Sequence, residues 1–140
     1  MTVQQYLQQI KVLDTKIKQK QEQYIRLEEQ ASSPGGIRYD KAVTQTSRTG
    51  DRLERLVLQY IELGDRIKEE QLKFESTKQT IINQIQSLND DRYMNVLFKR
   101  YVEYKSYTSI AAEMICSIEN VYVIHRKALN AFSKIIVNYT

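Results

Sequence analysis

The sequence predicts an all-α protein: a long antiparallel helical hairpin, packed as a coiled coil, followed by a C-terminal tri-helical helix-turn-helix unit. Three observations predict it. Two long stretches, residues 3–29 and 51–88, repeat apolar residues at alternating spacings of four and three, the period of a helix that buries one narrow seam. Gly and Pro are scarce, four and one in 140 residues. The Pro and three of the Gly fall between the two stretches, where the chain has to turn. After residue 89 the pattern changes to short apolar-periodic runs separated by Ser, Asn and Asp. The expected domains are therefore residues 1–89, a hairpin with a loop at 31–50, and residues 90–140.

The first helix is predicted from Val3 to Glu29. Val3, Tyr6, Ile10, Leu13, Ile17, Tyr24 and Leu27 form its seam, with Lys20 at one position of the series. Gln, Lys, Glu and Asp fill the remaining face. A lone helix would leave this seam in water at a cost of ~1.5–3 kcal/mol for each large side chain, so a partner helix is required. The break at 31–50 holds Pro34, Gly35 and Gly36; Pro removes a backbone donor and Gly favours a turn. It also carries Arg38, Lys41 and Arg48 against Asp40. A solvated linker and a phosphate-touching loop both fit that composition, and Ile37, Tyr39 and Val43 offer a means of docking on the helices.

The second helix is predicted from Asp51 to Leu88, roughly 55 Å at 1.5 Å per residue. Leu53, Val57, Tyr60, Ile67, Phe74, Ile81, Ile85 and Leu88 share its seam, and Leu56 and Leu63 widen it. Gly64, Gln71 and Lys78 interrupt the series. Such weak positions set register or open the seam onto a second subunit, so a homo-oligomer through the coiled coil is expected.

Asn89-Asp90-Asp91 marks the next boundary, because these residues favour caps and turns. A support helix follows, with Tyr93, Val96, Leu97, Arg100 and Tyr101 on its inner face. Lys105-Ser106 turns the chain, with Ser106 as cap. A short helix then buries Ile110 and Ala111 and closes at Met114-Ile115. Ser117 caps the next helix, its hydroxyl accepting from the backbone N–H of Asn120 or the residue before it. Val121, Ile124 and Ala128, with Leu129 beside them, give that helix its apolar face, and Phe132, Ile135 and Ile136 continue it. The opposite face carries Glu119, Asn120, Tyr122, Arg126 and Lys127. A short helix, a tight turn and a second helix with an exposed polar face is the layout that enters the DNA major groove. Asn138-Tyr139-Thr140 reads as a fraying tail.

Composition excludes several classes. Twenty-one Lys and Arg against 17 acids leave a net charge of +4, mildly basic, which permits nucleic-acid binding without demanding it. One cysteine, Cys116, rules out an internal disulfide and reads as a small buried apolar residue. One His and one Cys cannot supply a structural zinc site. No phosphate-cradling Gly-rich loop or Gly-x-Ser-x-Gly nucleophile motif occurs. His125 has no specified catalytic partner; it reads as a DNA-backbone contact or a partly buried structural residue. Glu28-Glu29 and Glu69-Glu70 read as solvated helix faces. The expectation is a non-enzyme with no catalytic residue, metal or cofactor. With no apolar run near ~18 residues and no leader pattern, the chain is expected inside the cell and away from membranes.

The run RYVEYKSYTSIAAEMICSIENVYVIHRKAL resembles the helix-turn-helix of sigma-factor region four. The matching positions are the Arg100-Tyr101 pair before the motif, Ile110-Ala111 in its first helix, Ser117 opening the recognition helix, and Ala128-Leu129 after it. Ile115 stands where that family's turn usually has Gly, and Ile118 and Val123 where its recognition helix often carries Arg. The segment from His125 to Leu129 and the long helical region before the motif are more similar to a narrower group. These are the late-transcription regulators of the RinA and ArpU type, from phages and prophages of Gram-positive bacteria. The motif covers about residues 92–136; the N-terminal region matches in character only. The resemblance implies a DNA-binding late-gene activator in the cytoplasm of a bacterial host cell. It acts on double-stranded promoter DNA, with RNA polymerase as a possible partner.

The expected DNA-binding residues are Thr108, Ser117, Glu119, Asn120, Tyr122, Val123, Arg126, Lys127, Arg100 and Lys105. Asn120 suits an adenine edge, because its amide both donates and accepts, and Glu119 suits a cytosine amino group. Tyr122 and Val123 suit a thymine methyl or the sugar-phosphate wall. Arg126, Lys127, Lys105, Arg100 and Thr108 suit phosphates, which set orientation without reading sequence. Two other functions fit the same layout: a small terminase subunit that forms rings on DNA for packaging, and a coiled-coil protein whose tri-helical end docks a protein.

Overall fold

The computed structural model describes residues 1–32 and 46–139. Every regular element among them is helical. Helix α1 spans Val3–Ser32, α2 Thr46–Gln86 and α3 Asp91–Leu97, which runs on as a π turn, Phe98–Val102. Helix α4 spans Tyr107–Met114 and α5 Ile118–Tyr139. No described helix is long and apolar enough to cross a membrane.

Both long helices exceed their predicted bounds. α1 passes Glu29 to Ser32, whose hydroxyl donates to the Glu28 carbonyl. α2 begins five residues before Asp51 and ends at Gln86, two short of Leu88. The predicted loop 31–50 is thus helical at both ends. Pro34, Gly35, Gly36, Ile37, Arg38, Tyr39, Lys41, Val43 and the Arg48 side chain lie outside the described residues. α5 also runs through Asn138 and Tyr139, where a fraying tail was expected. At its start, α1 has a reciprocal cap. The Gln5 amide N–H donates to Thr2 Oγ1 at 3.1 Å, and the Thr2 N–H donates to Gln5 Oε1 at 2.8 Å. This is the Thr-x-x-Gln capping box.

Two compact units share the chain: residues 1–14 with 73–140, and residues 15–72. The division cuts both long helices, whereas the predicted boundary followed residue 89. The reason lies in the larger core. Leu7 and Ile10 of α1 and Ile81 and Ile85 of α2 are buried with Leu97, Tyr101, Ala128 and Phe132. Leu7, absent from the predicted seam, is fully buried. A narrow seam suits one partner helix, but this end of α1 meets several, so the buried stripe widens. Tyr6 donates to the buried Gln84 Oε1 at 2.6 Å, and Tyr104 donates to Asp14 Oδ2 at 3.2 Å. Val96, Ile110, Ala111, Val121 and Ile124 make a second cluster in the same unit.

Within unit 15–72, Ile17 and Ile67 are buried. The Tyr24 and Tyr60 rings stack at 4.1 Å. Two predicted weak positions have local partners. Lys20 pairs with Glu70. Gly64 lies so close to Tyr24 that a Cβ there would come within 3.2 Å of its ring. Leu53 and Val57, predicted on the buried seam, are exposed instead. Val57 lies beside Glu28, Ala31 and Ser32 at the end of α1, and Leu53 is one turn farther along α2.

The last three helices start where local chemistry places them. Asp90 accepts from the N–H groups of Arg92 and Tyr93, Ser106 from that of Ser109, and Ser117 from that of Asn120. α4 ends with Ile115 in the left-handed region, φ 54° and ψ 54°. The Cys116 N–H reaches the Ala111 carbonyl and the Ile115 N–H that of Ala112, the two bonds of a Schellman motif. Cys116 consequently packs half-buried against the second cluster, less enclosed than expected. A β-branched residue in this region costs about 1–2 kcal/mol, and the Ile115 side chain, 91% exposed, recovers almost none of it. Ile115→Gly is expected to stabilise the protein by about 0.5–1 kcal/mol, after the greater freedom of Gly in the unfolded chain is set against the relieved strain. Urea denaturation measures this; a lower midpoint at unchanged slope would contradict it.

Candidate nucleic-acid interface

The site is built on α5. One side of this helix is closed: Val121, Ile124, His125, Ala128 and Phe132 are all buried. At 100° per residue, Glu119, Asn120, Val123, Arg126, Lys127, Asn130 and Lys134 share the opposite side, and all are exposed. Three cations face one acid along this stripe. Tyr122 lies at its margin, half exposed, with its ring edge-on to Tyr107 at 4.9 Å. Ser117 caps the helix, and Thr108 is exposed near the start of α4. Asn130 and Lys134 were missed from sequence, although the period that selects Val123 and Arg126 also selects them. Tyr107 was missed because its role depends on a distant ring.

Two expected phosphate contacts are otherwise engaged. Arg100 Nη1 donates to the Lys105 carbonyl at 3.0 Å, and its guanidinium lies 4.2 Å from the Tyr107 ring centre. The π turn carries Arg100 into this position, where it joins the π turn to α4. Lys105 Nζ lies 2.5 Å from Glu113 Oε1 and 3.2 Å from Glu103 Oε2. Lys99 Nζ lies 3.3 Å from the other Glu113 oxygen. The hydrogen bond from Lys105 holds the Glu113 carboxyl below its usual range, and the same bond raises Lys105. A phosphate would have to draw Lys105 away from two carboxylates. Among the described residues, no carboxylate is paired with Arg126, Lys127 or Lys134, although Glu119 shares their face of α5.

His125 does not reach the surface. It is 8% exposed, with Nε2 2.7 Å from the Tyr101 hydroxyl. The Tyr101 ring stacks on it at 5.7 Å and the Tyr107 ring meets it edge-on at 5.4 Å. Of the two sequence readings, the structural one holds. Burial first, then the nearby Arg100 guanidinium, lower the His125 pKa from 6.5; burial pushes the Tyr101 hydroxyl up to about 12. The folded state therefore favours neutral imidazole. Its contribution to stability is complete above pH 6.5 and is lost as pH falls from 6.5 towards the depressed folded value, because the unfolded chain takes up the proton first. The melting temperature is expected to fall as pH drops below 6.5, and His125→Phe to remove that part of the slope. Identical pH profiles for the two chains would sink the assignment.

No group of His, Cys, Asp and Glu among the described residues is arranged to hold a metal ion. Comparison of the chain with known protein families, curated proteins and solved structures finds no match.

Proposed function

We propose that the chain is a non-enzymatic, phage-type transcriptional regulator, a late-gene activator that binds promoter DNA. In this reading α4, the turn at 115–117 and α5 act as a helix-turn-helix, with α3 as support and α5 as the recognition helix. The long helices form the hairpin that brings copies together or meets RNA polymerase, in the cytoplasm of a bacterial host. One observation carries the reading: the solvent stripe of α5 concentrates Arg126, Lys127 and Lys134 around Asn120, Val123 and Asn130, on a helix fixed from behind by fully buried side chains. Rigid presentation of amide and cationic side chains is what base reading and phosphate contact require. Asn120 and Glu119 read base edges. Arg126, Lys127 and Lys134 take phosphates. Ser117 sets the start of α5, Thr108 near the start of α4 takes a phosphate, and Tyr122 and Val123 meet the groove wall.

Protein docking is the competing function, and Ile115, 91% exposed in the turn, favours it. Ile118 works against it, since it packs into the second core cluster rather than facing solvent. The deciding experiment is selection of genomic and phage DNA on the purified chain at near-physiological salt, followed by footprinting. Protection of a short promoter segment supports the regulator. Enrichment beside a packaging origin replaces it with the terminase function, and no enrichment by the folded protein replaces it with docking.

A further inference from the structure

Leu58, Ile61 and Leu72 of α2 are 58%, 52% and 73% exposed. They are not scattered. With Asp65 and Lys68, both exposed, they fall at 58, 61, 65, 68 and 72, alternating steps of three and four that place all five on one stripe of the helix. The stripe lies away from Tyr60 and Ile67, which face α1. Apolar side chains repeated at this period on a solvated face mark a helix-packing surface.

The order of residues along the stripe identifies the occupant. We propose that the outer face of α2 packs antiparallel against the same face of a second copy of this chain. A twofold axis between residues 66 and 67 exchanges 65 with 68 and 61 with 72. Asp65 of each copy then meets Lys68 of the other, which gives two symmetry-related ion pairs. Ile61 meets Leu72 on each side of this central polar layer, and the same axis sets Leu58 against Glu75 of the other copy at each end, so the apolar contact is the pair of Ile61–Leu72 layers. From residue 61 to residue 72 the pattern is self-complementary, as an isologous interface must be. A parallel pair would instead set Asp65 against Asp65 and Lys68 against Lys68, an arrangement that like-charge repulsion disfavours. The central ion pairs fix both register and direction, which a wholly apolar stripe would leave open. This surface differs from the buried seam between the long helices. Its ion pairs and apolar layers use residues of unit 15–72 alone, so its failure would leave the DNA-binding proposal untouched.

The test is the mass of the full chain in solution by sedimentation equilibrium over a concentration series. The wild-type chain is expected to approach twice the chain mass. Asp65→Lys, which turns both ion pairs into like-charge contacts, is expected to return it to monomer, and Asp65→Lys with Lys68→Asp to restore the dimer. Direction is read by disulfide trapping in a Cys116→Ser background: Ile61→Cys chains should cross-link to Leu72→Cys chains and not to each other. Positions 61, 65, 68 and 72 are exposed, and circular dichroism checks that each variant, and the Cys116→Ser background at its half-buried position, keeps its helices. A monomer throughout, a dimer indifferent to Asp65→Lys, or self-cross-linking of Ile61→Cys would each overturn the proposal.

Discussion

Phe132→Ala is expected to destabilise the protein by about 3–5 kcal/mol, the range for deleting a buried aromatic ring. Phe132 has no exposed surface and is the largest fully buried side chain among the described residues. It lies in the cluster to which α1, α2, α3 and α5 all contribute, with its ring centre 6.0 Å from that of Tyr6. The cost has two parts: transfer of the ring to water in the unfolded reference, and the cavity left among neighbours anchored on separate helices. Those neighbours cannot close on the space without moving whole helices, so the upper half of the range is the better expectation. Small domains have about 5–15 kcal/mol of total stability, so the loss should appear as a large fall in the denaturation midpoint. A change below about 1 kcal/mol would mean that the ring is not packed as described.

That core also explains what the sequence disclosed and what it withheld. Caps were legible because they are local: Asp90, Ser106 and Ser117 each bond a backbone N–H within three residues. The two sides of α5 were legible because a 3.6-residue period separates Val121, Ile124 and Ala128 from Asn120 and Arg126. The burial of Leu7 was not. The four-three series assumes a single partner helix, and nothing near Leu7 in sequence announces α3 and α5. Arg100 and Lys105 were assigned by charge alone, while their actual partners, Tyr107 and Glu113, are set by the π turn and by α4. The Thr2–Gln5 capping box could have been read directly, since its spacing is explicit. The outer stripe of α2 was overlooked because Asp65 and Lys68 occupy two of its five positions, which makes it look like an ordinary solvated face.

The cations of α5 offer the opposite experiment, one that leaves folding alone and alters binding. Arg126, Lys127 and Lys134 are exposed, and Ala is the strongest helix former. The triple change to Ala should therefore leave the unfolding free energy within about 0.5 kcal/mol of the parent. If all three meet phosphates, DNA binding should lose three counterion-releasing contacts. The slope of log affinity against log salt then becomes shallower by about 2.7, at roughly 0.9 for each contact on duplex DNA. Affinity should fall for every sequence, because phosphate contacts carry no sequence information. Asn120→Ala should behave differently: salt slope unchanged, and about 1–3 kcal/mol of discrimination lost at one base pair. The two variants thus separate holding from reading on one helix. An unchanged salt slope in the triple variant would remove α5 from the DNA interface even if the protein still bound DNA. The contact would then have to be sought elsewhere, beginning with Lys99 and Lys105 once Glu113 no longer holds them.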